Sequence, residues 1–517
     1  MRKEKNLYFS QEDKEKLIRD ASPYLALTYE EIWHSVTSQM VPRSYALTNP
    51  QTIGCPVCGR DVASYGNYPY LLDFTNAPWK LTCPSCKTQF PTNDFKSYYE
   101  GGLDEQGFFD PDLAKAHNDE LIAAGETGNL VNLLYLDKGE KWGVDDSTGF
   151  IADNGQKYTF VAYYNYFYLN EMISGCLTAL KNAYLATGNM AYANRAVVLL
   201  DRIADIYPDM DQSRWTRANG FLNANGGSCE KGKLFGSISE CTTMCSLLKA
   251  FEAILPTLKD NSDTPCLDAL QFLQGKHPER DSIRAIRNHI EDGIVREVFP
   301  AVKTTQIYGN SGMHQETLAL AAVLLDREPE SREWLEFDFQ SGVDCREGID
   351  GGGIRSAMVN RIDRDGHGDE SSSAYHYVWI YHYMNIANAL DGYQAAGTAP
   401  DAYDLLHHVK FRKMVSSQIP LILSDIYMPA IADSLACGKP AVTMELPPLI
   451  QAFVKYGDPV LAQAAYLING NTIEKMPLSG LEQPPEKIRR DILEIIRSHG
   501  PLALGGTNLT GYGFAAL

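Results

Sequence analysis

The sequence lacks any long hydrophobic segment. No apolar run reaches the roughly 18 residues that a membrane-spanning helix needs, so a membrane span is excluded. The N-terminus, MRKEKNLYFSQEDKEKL, is charged and has no apolar core of the kind that a secretory signal requires. We therefore expect a cytoplasmic protein, or a secreted or periplasmic one if the N-terminus has been trimmed.

Basic residues are scarce beside acidic ones. The chain has 46 Lys and Arg against 65 Asp and Glu, and its net charge is −19. This charge repels phosphate backbones at long range, which argues against a nucleic-acid partner. An acidic polysaccharide would be repelled as well, unless a local basic cleft overrides the global field. The 517 residues, 44% of them hydrophobic, are typical of a folded protein with room for about three domains.

The cysteine pattern is not that of a disulfide framework. Eleven cysteines are an odd number, and four of them have the spacing of a zinc site. An odd number of cysteines with zinc-site spacing is typical of a protein in a reducing compartment. The other seven are scattered through helix-like or loop segments: Cys176, Cys229, Cys241, Cys245, Cys266, Cys345 and Cys437.

Strand-type alternation is also scarce, whereas helical periodicity dominates after Tyr158. We expect a mainly α fold in which antiparallel helix hairpins form an α-solenoid or a closed (α/α) toroid. Three regions are predicted: a loop-rich lobe (1–150), the helical domain (151–500) and a strand-like end (501–517). The predicted helices are 158–187, 191–207, 233–256, 281–299, 313–326, 371–396, 403–424, 443–455 and 458–468.

Four cysteines form two CxxC knuckles in the N-terminal lobe. Cys55-Pro-Val-Cys58 and Cys83-Pro-Ser-Cys86 are separated by 24 residues, and a glycine follows the first knuckle. Four thiolates at this spacing suit a tetrahedral, structural Zn²⁺ site in a zinc-ribbon-like lobe. A redox dithiol and four unrelated reduced cysteines are the alternatives.

A second group of polar residues precedes an apolar helix, in the segment YGNSGMHQE at 308–316. Asn310 or Ser311 is expected to cap that helix, which places His314 in or just before its first turn. The positive end of the helix dipole favours a neutral imidazole there, so His314 is a candidate base. A capping asparagine beside a surface histidine is the alternative.

A third group lies in a polar, glycine-rich loop that leads into an aromatic helix. At helical spacing Tyr375, Trp379 and Tyr383 share one face, which also fits a plain aromatic core stripe. Clustered arginines and carboxylates are costly to place together unless they surround a site, although solvated loop charges are the alternative. The candidates for substrate binding are Arg355, Arg361, Arg364, His367, Glu370 and His376.

Three stretches of the chain resemble the heparinase II/III-like polysaccharide lyases. The first is CPVCG…CPSCKTQFP followed by NDFKSYYEGG, and the second is the helix pair LTALKNAYLATGNMAYANRAVVLLDRIADIYPD. The third is the pairing of GNSGMHQETLALAAVLLD with DRDGHGDESSSAYHYVW. Together they span most of residues 50–400.

The resemblance implies an (α/α) toroid followed by an antiparallel β-sandwich, of which 501–517 would be the first strand and the remainder missing. It also implies β-elimination at a uronic acid of an acidic polysaccharide such as heparan sulfate, chondroitin or hyaluronan. By resemblance Tyr375 is the catalytic tyrosine, His314 the base and Asn310 the ligand of the uronate carboxylate, although the last two roles can be exchanged. Glu370 and His376 are secondary candidates. Family members draw a further histidine from the sandwich.

Other functions are compatible with the same residues. A toroid glycoside hydrolase would use Asp365, Asp369 or Glu370 as paired acid and base. A non-catalytic carbohydrate-binding protein would use the aromatic residues to stack on sugars. The net charge makes a zinc-ribbon nucleic-acid module the least favoured alternative, and the sequence does not predict an oligomeric state.

Overall fold

A computed structural model describes residues 6–44, 54–215, 231–342, 344–345, 347–399, 401–434 and 442–516. For residues 237, 344 and 345 it describes the backbone alone. The described chain is mainly helical, and its strands form small antiparallel sheets. The mainly α prediction is therefore confirmed.

The N-terminal part combines short helices with two small sheets. Polar caps begin its helices: the backbone N–H of Asp13 donates to Ser10 Oγ, and Thr28 and Glu31 form a reciprocal capping box. One sheet has the order β1-β2-β3, and β4 pairs with β5. The elements are α1 (Gln11–Leu25), α2 (Tyr29–Trp33), β1 (Leu71–Leu72), β2 (Leu81–Thr82), β3 (Gln89–Phe90), α3 (Phe95–Glu100), α4 (Pro111–Ala123), β4 (Phe150–Ile151) and β5 (Lys157–Tyr158).

The middle of the chain is a series of helices. The predicted break after Thr187 is present: Gly188 ends one helix with φ +69°, and Asn189 caps the next. A π-helical segment, Glu171–Cys176, joins the first two. The helices are α5 (Phe160–Asn170), α6 (Leu177–Thr187), α7 (Met190–Ile206), α8 (Ser237–Ile254), α9 (Leu267–Lys276), α10 (Ile283–Ile290), α11 (Val298–Lys303), α12 (Met313–Leu325) and α13 (Glu330–Phe339).

The last part contains more helices and two hairpins. The helix predicted at 403–424 is much shorter, because Pro420 lies in a separate 3₁₀ turn, Ile419–Leu421. The single strand predicted at 501–517 is a hairpin, with Thr507 opposite Ala516. The elements are β6 (Asp344–Cys345), β7 (Gly348–Ile349), α14 (Ile354–Ser356), α15 (Ser373–Leu390), α16 (Val409–Ser416), α17 (Leu446–Tyr456), α18 (Pro459–Ile468), α19 (Pro485–His499), β8 (Thr507–Leu509) and β9 (Phe514–Ala516).

Helix packing follows one succession through the core. Helix α6 packs on α8, α8 on α12, α12 on α15, and α15 on α17, while α7 and α13 cover this series on other sides. Every residue of α12 is buried. A second apolar cluster, built from residues 41–164, includes Cys55 and Cys83, and α5 contributes Phe160 and Tyr164 to it. Helix α5 therefore belongs to the N-terminal cluster and leads directly into the helical core.

A buried carboxylate links three helices of this succession. Glu316 on α12 is 1% exposed, and its Oε1 accepts a hydrogen bond from Lys249 Nζ of α8 at 2.6 Å. Its Oε2 lies 2.6 Å from His382 Nδ1 and 3.1 Å from Asn385 Nδ2, both on α15. Burial alone would raise the pKa of Glu316, but Lys249 and His382 lower it to about 2.

Glu316→Gln is expected to destabilise the fold by about 3 kcal/mol, because it removes the charge of a buried carboxylate that pairs with the partly exposed Lys249 ammonium. The wild-type contribution is present above the unfolded carboxyl pKa of about 4.3 and is lost as the pH falls towards 2. Urea unfolding at pH 7 and pH 3 measures both effects. The control is Glu330→Gln, which removes a partly exposed pair with Arg296. Equal stability losses in the two variants would contradict the role of Glu316.

Candidate functional site

The first turn of α12 is held by a cap that the sequence did not predict. The N-cap is Gly312, with φ +96°, rather than Asn310 or Ser311. Its backbone N–H donates to Gln315 Oε1 at 2.8 Å, and Gln315 Nε2 donates to the Gly352 carbonyl at 2.8 Å. A side chain at Gly312 would approach His382 Cβ to 2.7 Å, so glycine permits α12 to pack against α15 here. His314 lies in the first turn, as predicted.

A cavity of about 660 Å³ opens in front of this turn. Three segments that are far apart in the sequence meet there: residues 308–315, the glycine-rich stretch 351–357 and the loop 361–370. The polar side chains of its lining are Tyr308, Asn310, Ser311, His314, Gln315, Ser356, Arg361, Asp369 and Glu370.

Tyr308 and His314 form an aromatic pair in this cavity. Their rings are 5.1 Å apart and inclined by 21°. His314 is 6% exposed, so the imidazole is largely shielded from bulk water. Tyr308 was not among the predicted site residues. Tyr308 lies two residues before Asn310, in the segment 308–316 whose polar residues predicted a site, and this position indicates it as a further candidate.

The opposite part of the lining is charged. Arg361 makes a bidentate ion pair with Asp369, with Nε–Oδ2 at 2.8 Å and Nη2–Oδ1 at 3.1 Å. Its guanidinium carbon lies 4.7 Å from the Trp379 ring centroid, and Trp379 Nε1 donates to Glu370 Oε2 at 3.4 Å. The buried indole of Trp379 thus contacts the Arg361 guanidinium with its ring face and donates a hydrogen bond to Glu370; both are predicted binding residues.

Tyr375, the predicted catalytic tyrosine, does not line the cavity. Burial raises its pKa, and the carboxylates of Asp433 and Glu370 raise it further, which favours the neutral phenol. Of the aromatic face predicted on α15, Trp379 and Tyr383 are fully buried. Tyr383 OH lies 3.2 Å from Ser311 Oγ, at the base of the cavity wall.

Two of the predicted histidines, His367 and His376, pack against other parts of the chain and do not line the cavity. His376 Nε2 lies 2.8 Å from Ser417 Oγ, and its Nδ1 accepts the Gly368 N–H at 3.2 Å. Burial, together with His367, lowers the pKa of His376 to about 3, so it remains neutral. The His367 ring stacks on Tyr512 of the β8–β9 turn at 4.1 Å.

The loop around these histidines also anchors the C-terminal hairpin. Asp365 accepts the backbone N–H groups of Gly511 and Tyr512. The neighbouring Arg364 is exposed, and its carbonyl accepts from Lys413 Nζ at 2.8 Å. Arg355 is exposed too, with its guanidinium 5.9 Å from the Phe339 ring. Arg355, Arg364, His367 and His376 are not part of the cavity lining.

The four cysteines of the knuckles form one cluster. Their sulfur atoms all lie within 4.8 Å of one another, with Cys55–Cys86 and Cys58–Cys83 at 3.6 Å. Four thiolates around a tetrahedral metal with bonds of about 2.3 Å are separated by about 3.8 Å. The Val57 N–H also points at Cys55 Sγ, at 3.4 Å. The cluster is compatible with a metal site.

Four of the remaining cysteines are buried and free: Cys176, Cys241, Cys245 and Cys266. Cys229 and Cys437 lie outside the described residues, and of Cys345 only the backbone is described. None of the four free cysteines lines the cavity.

No family model matches the chain, and none of the curated proteins is similar to it. Within the described ranges, no helix combines the length and the apolar composition needed to cross a bilayer.

Asp369→Asn is expected to strengthen binding of a small carboxylate ion such as acetate at Arg361 by about tenfold, or about 1.4 kcal/mol. The reason is that Asp369 occupies the bidentate edge of Arg361 that a ligand carboxylate would use. Isothermal titration calorimetry at low salt measures the affinity. Glu330→Gln, which releases Arg296 from a pair outside the cavity, is the control. An unchanged affinity in Asp369→Asn would mean that Arg361 is not the carboxylate-binding group.

Proposed function

We propose that this protein is a polysaccharide lyase that cleaves a uronic-acid-containing acidic polysaccharide by β-elimination. The observation that carries the proposal is the meeting of Asn310, His314, Tyr308 and Arg361 in one cavity. Elimination needs a group that neutralises the uronate carboxylate, a base and an acid. This set supplies a candidate for each.

Asn310 and Arg361 are the proposed ligands of the uronate carboxylate. The proton on carbon 5 of the sugar becomes acidic only when the adjacent carboxylate is neutralised by hydrogen bonds. Arg361 offers a planar, bidentate donor, and the Trp379 ring holds it towards the cavity. The substrate carboxylate would take the place of Asp369 in this pair.

His314 is the proposed base, and Tyr308 the proposed acid. A neutral imidazole accepts a proton, and His314 lines the cavity in which carbon 5 would lie, so it is placed to remove the carbon-5 proton. The phenol of Tyr308 would protonate the oxygen on carbon 4 as the bond between carbon 4 and that oxygen breaks. The stacked rings place the two groups side by side, as an acid and a base that act on one sugar must be.

The helix succession is consistent with the toroid that the resemblance implies. Helices α6, α8, α12, α15 and α17 would form an inner ring, with α7 and α13 among the outer helices. The cavity then lies at the N-terminal end of an inner helix, α12. The hairpin of β8 and β9 is the proposed start of a β-sandwich.

A glycoside hydrolase is the second candidate. It is favoured by the charge of the cavity, where Asp369 and Glu370 outnumber Arg361 and would repel a uronate. A hydrolase would use these two carboxylates as acid and base. Against it, Asp369 is neutralised by its bidentate pair, and Asp365, the third candidate, is committed to the C-terminal hairpin.

The lyase proposal predicts an unsaturated uronide that absorbs in the ultraviolet when the protein acts on heparan sulfate, chondroitin, hyaluronan or alginate. His314→Gln and Tyr308→Phe should each lower the rate by about 10²–10⁴-fold, the usual contribution of a general acid or base. Tyr375→Phe should retain most activity because that residue does not line the cavity.

Tyr381→Phe, which removes a partly exposed phenol of α15, is the matched control. If Tyr375→Phe were inactive and Tyr308→Phe active, the catalytic tyrosine would be Tyr375, as the resemblance implies. Reducing sugar released without any ultraviolet product would instead favour the hydrolase.

We also propose that the four-cysteine cluster holds a structural Zn²⁺. Four thiolates leave no open position for a substrate, which is typical of a structural site rather than a catalytic one. Both knuckles lie beside the aromatic core of the N-terminal part, where Cys55 and Cys83 are buried. The ion would therefore stabilise this region.

Cys83→Ser is expected to lose one equivalent of zinc and to lower the melting temperature, because a four-thiolate site contributes its binding free energy to folding. Metal analysis and differential scanning calorimetry of the purified protein measure the two effects. Cys176→Ser, a buried free cysteine outside the cluster, controls for the loss of a buried thiol. Unchanged zinc content in Cys83→Ser would refute the site.

A further inference from the structure

A second cluster of ligand-type side chains lies away from the cavity and the cysteines. Asp201 and Asp205 are one turn apart on α7, and His289 lies on α10. Their ligand atoms all lie within 4.8 Å of one another. His277, just after α9, adds a second imidazole with Nε2 3.7 Å from Asp205 Oδ2. None of these side chains lines the cavity.

The cluster contains buried polar atoms that make no hydrogen bond. They are Asp201 Oδ2, Asp205 Oδ2, His277 Nε2 and His289 Nε2. Asp201 is fully buried, so its Oδ2 is shielded from bulk water. His289 Nε2 also lies 2.8 Å from Asp205 Oδ1, so the imidazole and this carboxylate already face each other. Converging orphan atoms of this kind call for an additional bound group.

The two arginines of the cluster hydrogen-bond to other oxygen atoms. Arg280 donates from Nε to Asp201 Oδ1 at 3.1 Å and from Nη2 to Asp205 Oδ1 at 3.0 Å. Arg202 donates to the carbonyls of Gln106 and Gly107, and its Nη1 lies 3.7 Å from Asp205 Oδ2. Asp201 Oδ2 therefore makes no hydrogen bond to either arginine, and Asp205 Oδ2 has contacts at 3.7 Å with Arg202 Nη1 and His277 Nε2.

We propose that Asp201, Asp205 and His289 bind a divalent transition-metal ion, with His277 as a further ligand. Carboxylate oxygen and imidazole nitrogen suit Mn²⁺, Co²⁺ and Zn²⁺, whereas thiolates select Zn²⁺. Arg280 would stay on the outer oxygens and orient both carboxylates. The side chains of Asp205 and His289 are 12% and 22% exposed, which provides a path for entry. The ion would tie α7 to α10.

Mn²⁺ is the probe that separates this site from the cysteine cluster, because thiolates bind it weakly. Purified protein is given one equivalent of Zn²⁺, which the four thiolates take up first, and is then titrated with Mn²⁺ while electron paramagnetic resonance monitors the free ion. Wild-type protein is expected to bind one Mn²⁺ and to melt at a higher temperature with it. Asp201→Asn and His289→Gln should lose both effects.

Asp260→Asn, which alters an exposed pair with Arg284, should bind Mn²⁺ like the wild type. Circular dichroism verifies that each variant is folded before titration. Excess Zn²⁺ is expected to displace the bound Mn²⁺. No Mn²⁺ bound by the wild type, or equal binding in Asp201→Asn, His289→Gln and the control, would overturn the proposal and leave the cluster as a network of ion pairs.

Discussion

Glu316 brings a lysine of α8 and a histidine and an amide of α15 onto one buried carboxylate of α12. An uncompensated charge at this depth would cost several kcal/mol, so the three helices are held in one arrangement. His314 lies two residues earlier on the same helix, and Gly312 contacts α15 directly. The ion cluster therefore holds α12 against α8 and α15, and the first turn of α12 lines the cavity that Arg361 also lines. The geometry of the cavity depends on it.

Local sequence signals predicted the elements better than they predicted the site. The helical period and the Gly188–Asn189 break were sufficient for α6 and α7, and the CxxC spacing was sufficient for the cysteine cluster. Helical spacing also placed Trp379 and Tyr383 on one buried face. It could not show that Tyr375, on the same face, lies outside the cavity. That depends on how α15 packs against α12, which is a long-range contact.

Long-range packing also decides the roles of the polar residues in the glycine-rich loop that leads into α15. A dense group of arginines, histidines and carboxylates suggested one site, but the structure divides it. Arg361 and Glu370 line the cavity, whereas Asp365 and His367 hold the β8–β9 hairpin. Composition cannot distinguish a loop that binds a ligand from a loop that binds its own chain. The buried cluster at Asp201 escaped prediction for a related reason, because its members come from different helices.

The fate of solvent oxygen tests the central claim of elimination at the cavity most directly. Digestion of a uronate polysaccharide in water labelled with heavy oxygen, followed by mass spectrometry of the fragments, distinguishes the two reactions. Elimination breaks the bond between carbon 4 and its oxygen without adding water, so unsaturated fragments without the label are expected. Saturated fragments that carry one heavy oxygen would contradict it and would assign hydrolysis to Asp369 and Glu370 instead.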